Sequence, residues 1–335
     1  MTFDNRRPGV YSRVEIAGYI SGSGGGAALL LPQSGTVQAL QLESFQDAAS
    51  QLAGNEIALE CLRLLFGGGA GHVAVILAPE INGALEQLDG FDGVRAVVSG
   101  FTGTQELAAL RAFAEKSAQY QRECIAFAGI GEAQAAISAA AAMSSGRVVL
   151  CCPGISVEEG SAAHPIYGAC ALAAAVLGTP SPVHNFSGQS FPGLCEATAL
   201  SEDNIQALLK AGVSVFENLG GQVELIRALT TDAPREDGGG NLRSLNTVLI
   251  IDYVMSAIRS ALRRKLSGGG RATVEGIRDQ VAVELAAKRD AGVIASFSPP
   301  RCRADRRDPA ICVVEISFGV AHLLSQIHLT AHIRV

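Results

Sequence analysis

Hydrophobic and polar positions alternate in two different ways along this chain. Near the start, RPGVYSRVEI has period two: Val10, Ser12, Val14 and Ile16 share one face, and Tyr11, Arg13 and Glu15 the other. That is the pattern of a half-buried strand. A glycine joint, Gly22 to Gly26, follows it. AALLL (27–31) and TVQALQL (36–42) then read as strands, 54–66 as a helix, and HVAVILA (72–78) as a strand after a Gly-rich turn. From about residue 88 the pattern changes. VRAVVSG (94–100), CIAFAG (124–129) and RVVLCCPG (147–154) are unbroken apolar runs. Helices at 104–119, with Leu107, Leu110, Phe113 and Ala114 on one stripe, and at 131–143 separate them. Unbroken apolar strands alternating with helices imply a parallel sheet covered on both faces.

Further along, HPIYGACALAAAVLG is a small-residue helix, and Ser201 opens a helix that Gly212 closes. Residues 213–231 read as a hairpin around Gly220-Gly221. A polar, Gly-rich stretch at 232–243 marks a boundary. Beyond it lie a long helix at 245–266, an amphipathic helix at 272–289 and the strand ICVVEISFGV. In that second helix Val274, Ile277, Val281 and Leu285 face inward, leaving Arg278, Asp279, Glu284 and Lys288 for polar contacts. The chain closes on SQIHLTAHIRV, where Ile327, Leu329, Ala331, Ile333 and Val335 share one face. The expected class is mixed α/β. A central doubly wound domain (88–235) lies between a small β-rich N-terminal domain (27–87) and an α+β C-terminal domain (236–324), with strand arms at 1–26 and 325–335.

Composition narrows the function. Of the 335 residues 48% are hydrophobic and only 17% charged, low for a monomer that keeps its whole surface wet, so partner-covered surfaces are expected. A net charge of −6 argues against a dedicated nucleic-acid binder and against a basic membrane patch. No signal peptide opens the chain and no run of 18 apolar residues is found, so neither export nor a membrane span is expected. Eight scattered cysteines without a Cys-x-x-Cys read as reduced thiols.

The search for chemistry returns little. Gly22-Ser-Gly24-Gly25-Gly26-Ala27 matches the dinucleotide-loop spacing, but only five residues precede Pro32, too few for the required helix. Leu266-Ser-Gly-Gly-Gly270 has no phosphate-cradling loop to accompany it. His322, His328 and His332 lack carboxylate company in the last 20 residues, and His184 with Ser187 lacks a nucleophile elbow. Arg301, Arg303, Arg306 and Arg307 are interleaved with Asp305 and Asp308, as in a solvated loop. No catalytic, metal or cofactor site is expected.

Taken in order, RRPGVYSRVEI, LECLRLLFGGGAGHVAVILA, RAFAEKSAQYQRECIAFAG, GRVVLCCPGIS, LSEDNIQALLKAGVSVFENLGGQVELIRALTT and LNTVLIIDYVMSAIRSALRRKL resemble the segments of contractile tail sheath proteins of phages and phage-derived injection machines. The chain is short for that family, and Ser214 stands where the family usually has Asn after Gly-Val. The resemblance implies a structural subunit of stacked six-membered rings around an inner tube, assembled in the bacterial host cytoplasm as part of a virion tail or a phage-tail-like particle. Its partners would be further copies of itself, the tail tube protein, and baseplate and tail terminator proteins. It also implies that the two arms exchange strands between subunits and that Arg278, Asp279, Glu284 and Lys288 face the tube. Two other classes stay open: an α/β small-molecule enzyme with an unrecognised site, and a static shell protein.

Overall fold

The structure, a computed structural model, describes residues 25–232, 242–267, 273–304, 306 and 312–321. Its frame is set by the apolar runs. The chain enters through β1 (Gly26–Pro32), turns back along β2 (Gln38–Leu42), and passes through α1 (Phe45–Gln51) and α2 (Glu56–Gly67) into β3 (Val73–Ala78). Then α3 (Ile81–Leu88), β4 (Val94–Ser99), α4 (Thr104–Gln119), β5 (Ile125–Gly129), α5 (Ala133–Met143) and β6 (Val148–Cys152) alternate. Next come β7 (Ile155–Ser156), α6 (Ile166–Gly178), β8 (Gln189–Ser190), β9 (Glu196–Ala197), α7 (Glu202–Ala211), β10 (Ser214–Leu219) and β11 (Gln222–Leu225). The C-terminal part holds α8 (Leu245–Ser267), α9 (Val274–Asp290), β12 (Ile294–Phe297), β13 (Arg301–Ala304), β14 (Cys312–Glu315) and β15 (Phe318–Val320).

Nine strands form one sheet in the order β2-β3-β1-β4-β5-β6-β10-β11-β8. The run β3-β1-β4-β5-β6-β10 is parallel, and β2, β11 and β8 add antiparallel edges. Successive strand residues serve opposite faces, as a pleat requires. Ala27, Leu29 and Leu31 pack with α2 and α6, whereas Ala28 and Leu30 pack with α3, α4 and α5. Phe127 and Ala126 divide in the same way on β5. Burial on both faces is why these strands are unbroken apolar runs.

The expected border at 87/88 is corrected by this topology. β1 lies between β3 and β4, so residues 27–87 build the same sheet as the segment that follows. Hydrogen bonds join Gly26 N–H to Gly93 O (3.1 Å) and Gly100 N–H to Leu30 O (2.8 Å) across that position. What reads in sequence as a small β-rich domain is the first half of one doubly wound body.

Local signals set several ends. Ser201 Oγ accepts from Asn204 N–H at 3.3 Å to start α7, and Gly212, at φ 86°, ends it in the left-handed conformation. Gly220 and Gly221, at φ 59° and 82°, form the two-residue turn between β10 and β11. Ser214, where the sheath pattern has Asn, is fully buried; its Oγ donates to Leu229 O (3.0 Å) and accepts from Leu229 N–H (2.9 Å). The hydroxyl thus ties the chain after the hairpin back to the sheet.

The C-terminal part has its own core. α8 opens in the body, where Leu245 and Val248 join the α2–α6 side, and then leaves it. Ile250, Val254 and Ile258 pack instead with Val281 and Leu285 of α9 and with Val293 and Ile294. The remaining strands form two small sheets, β12 with β15 and β13 with β14. The expected strand ICVVEISFGV is two strands, β14 and β15, each paired with a different partner.

Candidate functional site

In a doubly wound sheet, ligands bind where the strand order reverses, beyond the carboxyl ends of the strands. Here that point lies between β1 and β4. It is closed by backbone: Gly100 N–H donates to Leu30 O, Gln33 N–H donates to Ala78 O (2.8 Å), and a Cβ at Gly100 would lie 3.0 Å from the Leu31 side chain and 3.1 Å from that of Pro32. β1 leads into an antiparallel strand rather than a helix, and at the start of α4, which follows β4, the Gly103 N–H already donates to Glu106 (2.8 Å). Among the described residues no cluster of three His, Cys, Asp or Glu is arranged to hold a metal. His184 bonds Gln189 (3.2 Å) and stacks edge-on against Phe186, while Ser187 Oγ accepts from Ala228 N–H (3.3 Å), so the two do not form a nucleophile–base pair.

The polar chemistry concentrates instead where α8 crosses the body. Asp252 receives both arms of the Arg147 guanidinium, Nη2 at 2.6 Å and Nη1 closer still. One face further along, Arg259 reaches Glu123 at 2.5 Å and Arg263 reaches Gln121 at 2.6 Å. Positions 252, 259 and 263 lie on one stripe of α8, seven and then four residues apart, so the seam is a polar line drawn on a largely apolar helix. Burial raises the Asp252 carboxyl above its usual value, and Arg147 pulls it only partly back; that carboxylate in turn holds Arg147 charged. Burial likewise pushes the Cys124 thiol beside this seam up to about 11. The sequence reading missed the seam. Its only signal was three polar residues interrupting the apolar pattern of α8.

By length and composition alone, residues 245–265 of α8 suffice to cross a membrane. In the fold their apolar positions are shared between two cores, and Asp252 and Arg259 form ion pairs across the seam.

Alongside the seam runs an open groove of ≈1080 Å³, bounded by the amino ends of β4 and β5, the end of α4, and α8 with α9. Its apolar floor comes from Phe91, Val94, Phe113 and Leu249, and Tyr253 and Lys288 form its far wall.

The residues expected to face the tube all lie on α9. Ile277, Val281 and Leu285 are buried inward, and Val274 is half-buried. Arg278 and Asp279 point outward and pair with each other at 3.2 Å. Glu284 is half-buried and accepts from Gln280 (3.3 Å). Lys288 does not point outward: its Nζ lies 3.2 Å from the Tyr253 hydroxyl and 4.4 Å from that ring's centre, tying α9 to α8. The outer face also carries Val283, 62% exposed, which the amphipathic reading passed over. The N-terminal arm residues Val10, Ser12, Val14 and Ile16 and the C-terminal arm residues Ile327, Leu329, Ala331, Ile333 and Val335 lie outside the described residues.

No family model and no curated protein sequence matches the chain. Among solved structures, the sheath tail protein from Listeria innocua is similar at TM-score 0.70 and 12% identity, over 90% of this chain and 93% of that one. The sheath tail protein from Desulfitobacterium hafniense is similar at TM-score 0.65 and 10% identity, over 93% and 100%. A chain of the anti-feeding prophage helical sheath in its contracted state matches at TM-score 0.69 and 13% identity, over 98% and 99%. The chain therefore has the mixed α/β fold of sheath tail proteins over 90% or more of its length.

Proposed function

We propose that this chain is the structural subunit of a contractile sheath, stacking as six-membered rings around a tail tube and shortening to drive that tube through a target envelope. The observation that carries the reading is mutual coverage. A chain of a contracted helical sheath and this chain cover 98–99% of one another, so the likeness of fold spans both rather than one shared domain. A chain from the baseplate of the same anti-feeding prophage matches over 99% of this chain and 100% of that one, which supports a place next to a baseplate. The closed strand-end crevice and the low charge content favour this reading over a small-molecule enzyme. Under it the subunit assembles in the bacterial host cytoplasm with further copies of itself, a tube protein, and baseplate and terminator proteins.

The terminal segments are the proposed links. An apolar-faced strand at Val10–Ile16 and another at Ile327–Val335 would complete sheets in neighbouring subunits. The small sheets β12–β15 and β13–β14 are suited to accept them, because a two-stranded sheet is marginal alone. Arg278 and Asp279 on α9 would meet the tube through screened, breakable contacts.

Negative-stain microscopy of the purified full chain tests the reading. Long hollow cylinders are expected, and they should form equally well in EDTA and without ATP. Closed shells, or discrete small oligomers at every concentration, would sink it. Truncation after Leu324 is expected to leave a folded, soluble monomer that forms no cylinders. Cylinders from the truncated chain would remove the C-terminal arm from the linkage.

A further inference from the structure

We propose that Asp92-Gly93, in the bend between α3 and β4, is a site of spontaneous isoaspartate formation, and that the change loosens the first rung between β1 and β4. This stands independently of the sheath reading.

The chemistry needs an aspartyl side chain followed by a residue without a Cβ, a main-chain nitrogen with no hydrogen bond to give up, and room for a five-membered ring. Gly93 N attacks Cγ of the protonated Asp92 carboxyl. A C–N bond forms, the Cγ–OH bond breaks, and the hydroxyl leaves with the amide proton as water. The resulting succinimide takes water back at either carbonyl. Addition at Cγ restores aspartate. Addition at the main-chain carbonyl leaves the backbone running through Cγ, as isoaspartate. Water is the only co-reactant, and the product keeps the parent's mass.

The fold meets these needs at Asp92 and withholds them at its neighbours. Asp92 and Gly93 are both exposed. The Asp92 carboxylate has no hydrogen bond or ion pair with any described residue, and Gly93 N–H has no acceptor among them. Gly93 sits at φ 74°, and even a Cβ there would lie 3.7 Å from the His72 ring, so the bend has space. Asp89-Gly90 is the same dipeptide, equally exposed, with none of that freedom. Gly90 N–H donates to Gln87 O (3.1 Å), the Asp89 carboxylate lies 3.8 Å from Arg122 Nη1, and the Asp89 backbone is helical at φ −59°, ψ −22°. Asn82-Gly83 lies within α3, where the helical ψ turns the next nitrogen away from the side chain. The remaining Asp-Gly step, 237–238, lies outside the described residues.

The position gives the change a structural consequence. Gly93 O accepts from Gly26 N–H (3.1 Å) where β1 enters the sheet, and Gly26 pairs there with Val94. An isoaspartyl linkage adds a methylene to the main chain just before Gly93 and moves the free carboxylate onto Cα. Gly93 O is then displaced relative to Gly26.

The test ages the purified full chain for weeks at neutral pH. Electron-transfer fragmentation of its peptides then distinguishes isoaspartate from aspartate at each position. Isoaspartate at 92 is expected to exceed that at 89 by at least about fivefold, the order set by the hydrogen bond that Gly90 must first break. Ageing in denaturant is expected to bring the two sites level. Equal amounts in the folded chain, or a preference that persists in denaturant, would overturn the proposal. Asp92→Glu cannot close a five-membered ring and keeps the charge. The Gly26 amide is expected to exchange at least about threefold faster in the isoaspartyl fraction of the aged parent than in aged Asp92→Glu. Equal exchange would overturn the link to β1.

Discussion

The nine-stranded body and the C-terminal part solve the same problem with very different resources. In the body, β1, β3, β5 and β6 are buried along nearly their whole lengths, between helices on both faces. In the C-terminal part, β14 and β15 are half-buried at best, β13 is mostly exposed, and each sheet has two strands. Its fully enclosed core reduces to a strip between α8 and α9 plus Val293 and Ile294. Among the described residues, the body's sheet is covered on both faces, whereas the small sheets of the C-terminal part have two strands each and rest on a polar seam. A subunit built this way can keep one half fixed while the other takes on additional strands.

The contrast breaks first under core truncation. Phe127→Ala, at the centre of β5 and fully buried, is expected to cost about 3–5 kcal/mol, read by chemical denaturation. Val281→Ala in α9, equally buried but in the thin core, is expected to cost less and to leave the body's unfolding transition in place. Equal effects on a single transition would mean that the two parts fold as one unit.

Asp252→Ala comes next. It leaves the half-buried Arg147 guanidinium without its carboxylate, at a cost of about 2–3 kcal/mol, discounted for partial exposure from the 3–5 typical of a broken buried pair. The pH dependence is a separate handle on the seam. The folded state raises the Asp252 carboxyl, so its contribution to stability is fully present below the unfolded value near 3.8 and is lost as pH rises through the folded value. Asp252→Asn should flatten that part of the stability profile; an unchanged profile would show that the seam is not its source.

Thiol labelling compares the two halves without mutation. Cys61, Cys124, Cys151, Cys152 and Cys170 are buried in the body, whereas Cys302 and Cys312 in the small sheets are half-exposed. With burial raising the Cys152 thiol to about 12, the body's set is expected to stay unlabelled at neutral pH while Cys195, Cys302 and Cys312 react. Slower reaction of Cys302 and Cys312 in assembled material would locate added strands on the small sheets. The smallest effects belong to α9. Lys288→Ala is expected to cost about 0.5–1 kcal/mol through its lost contact with Tyr253. Arg278→Glu should change folding by under about 0.5 kcal/mol; under the proposed tube contact it should also weaken that contact, as raised salt does in the parent chain.

The sequence was most legible where burial is two-sided. The apolar runs of β3 to β6 and the caps Ser201 and Gly212 identify their elements because a single physical cause fixes each. It failed where causes compete. Helix α3 carries Ile81, Ala84, Leu85 and Leu88 at helical spacing and all are buried, yet Pro79 and Asn82-Gly83 present turn chemistry at the same place. With that helix unseen, the alternation of strand and helix is visible only from residue 88, which produced the false domain border. The short strands β7, β8 and β9 are two residues long, below any period. The candidate surfaces were half legible. The inward residues of α9 follow from periodicity, but Lys288 faces Tyr253 through a contact between two helices, and no spacing within one helix encodes that.

One further consequence follows from α8 belonging to two cores at once. A helix of 23 residues is a rod about 35 Å long, seated at its first turn in the body and at its middle against α9. A tilt of about 10° at the seat carries the far end sideways by about 6 Å, more than the roughly 4.8 Å between neighbouring strands. Sub-ångström adjustments around Leu245 and Val248 are therefore geared up to the scale of a whole strand position at the other end of the lever once the Arg259–Glu123 and Arg263–Gln121 contacts that hold that end to the body let go.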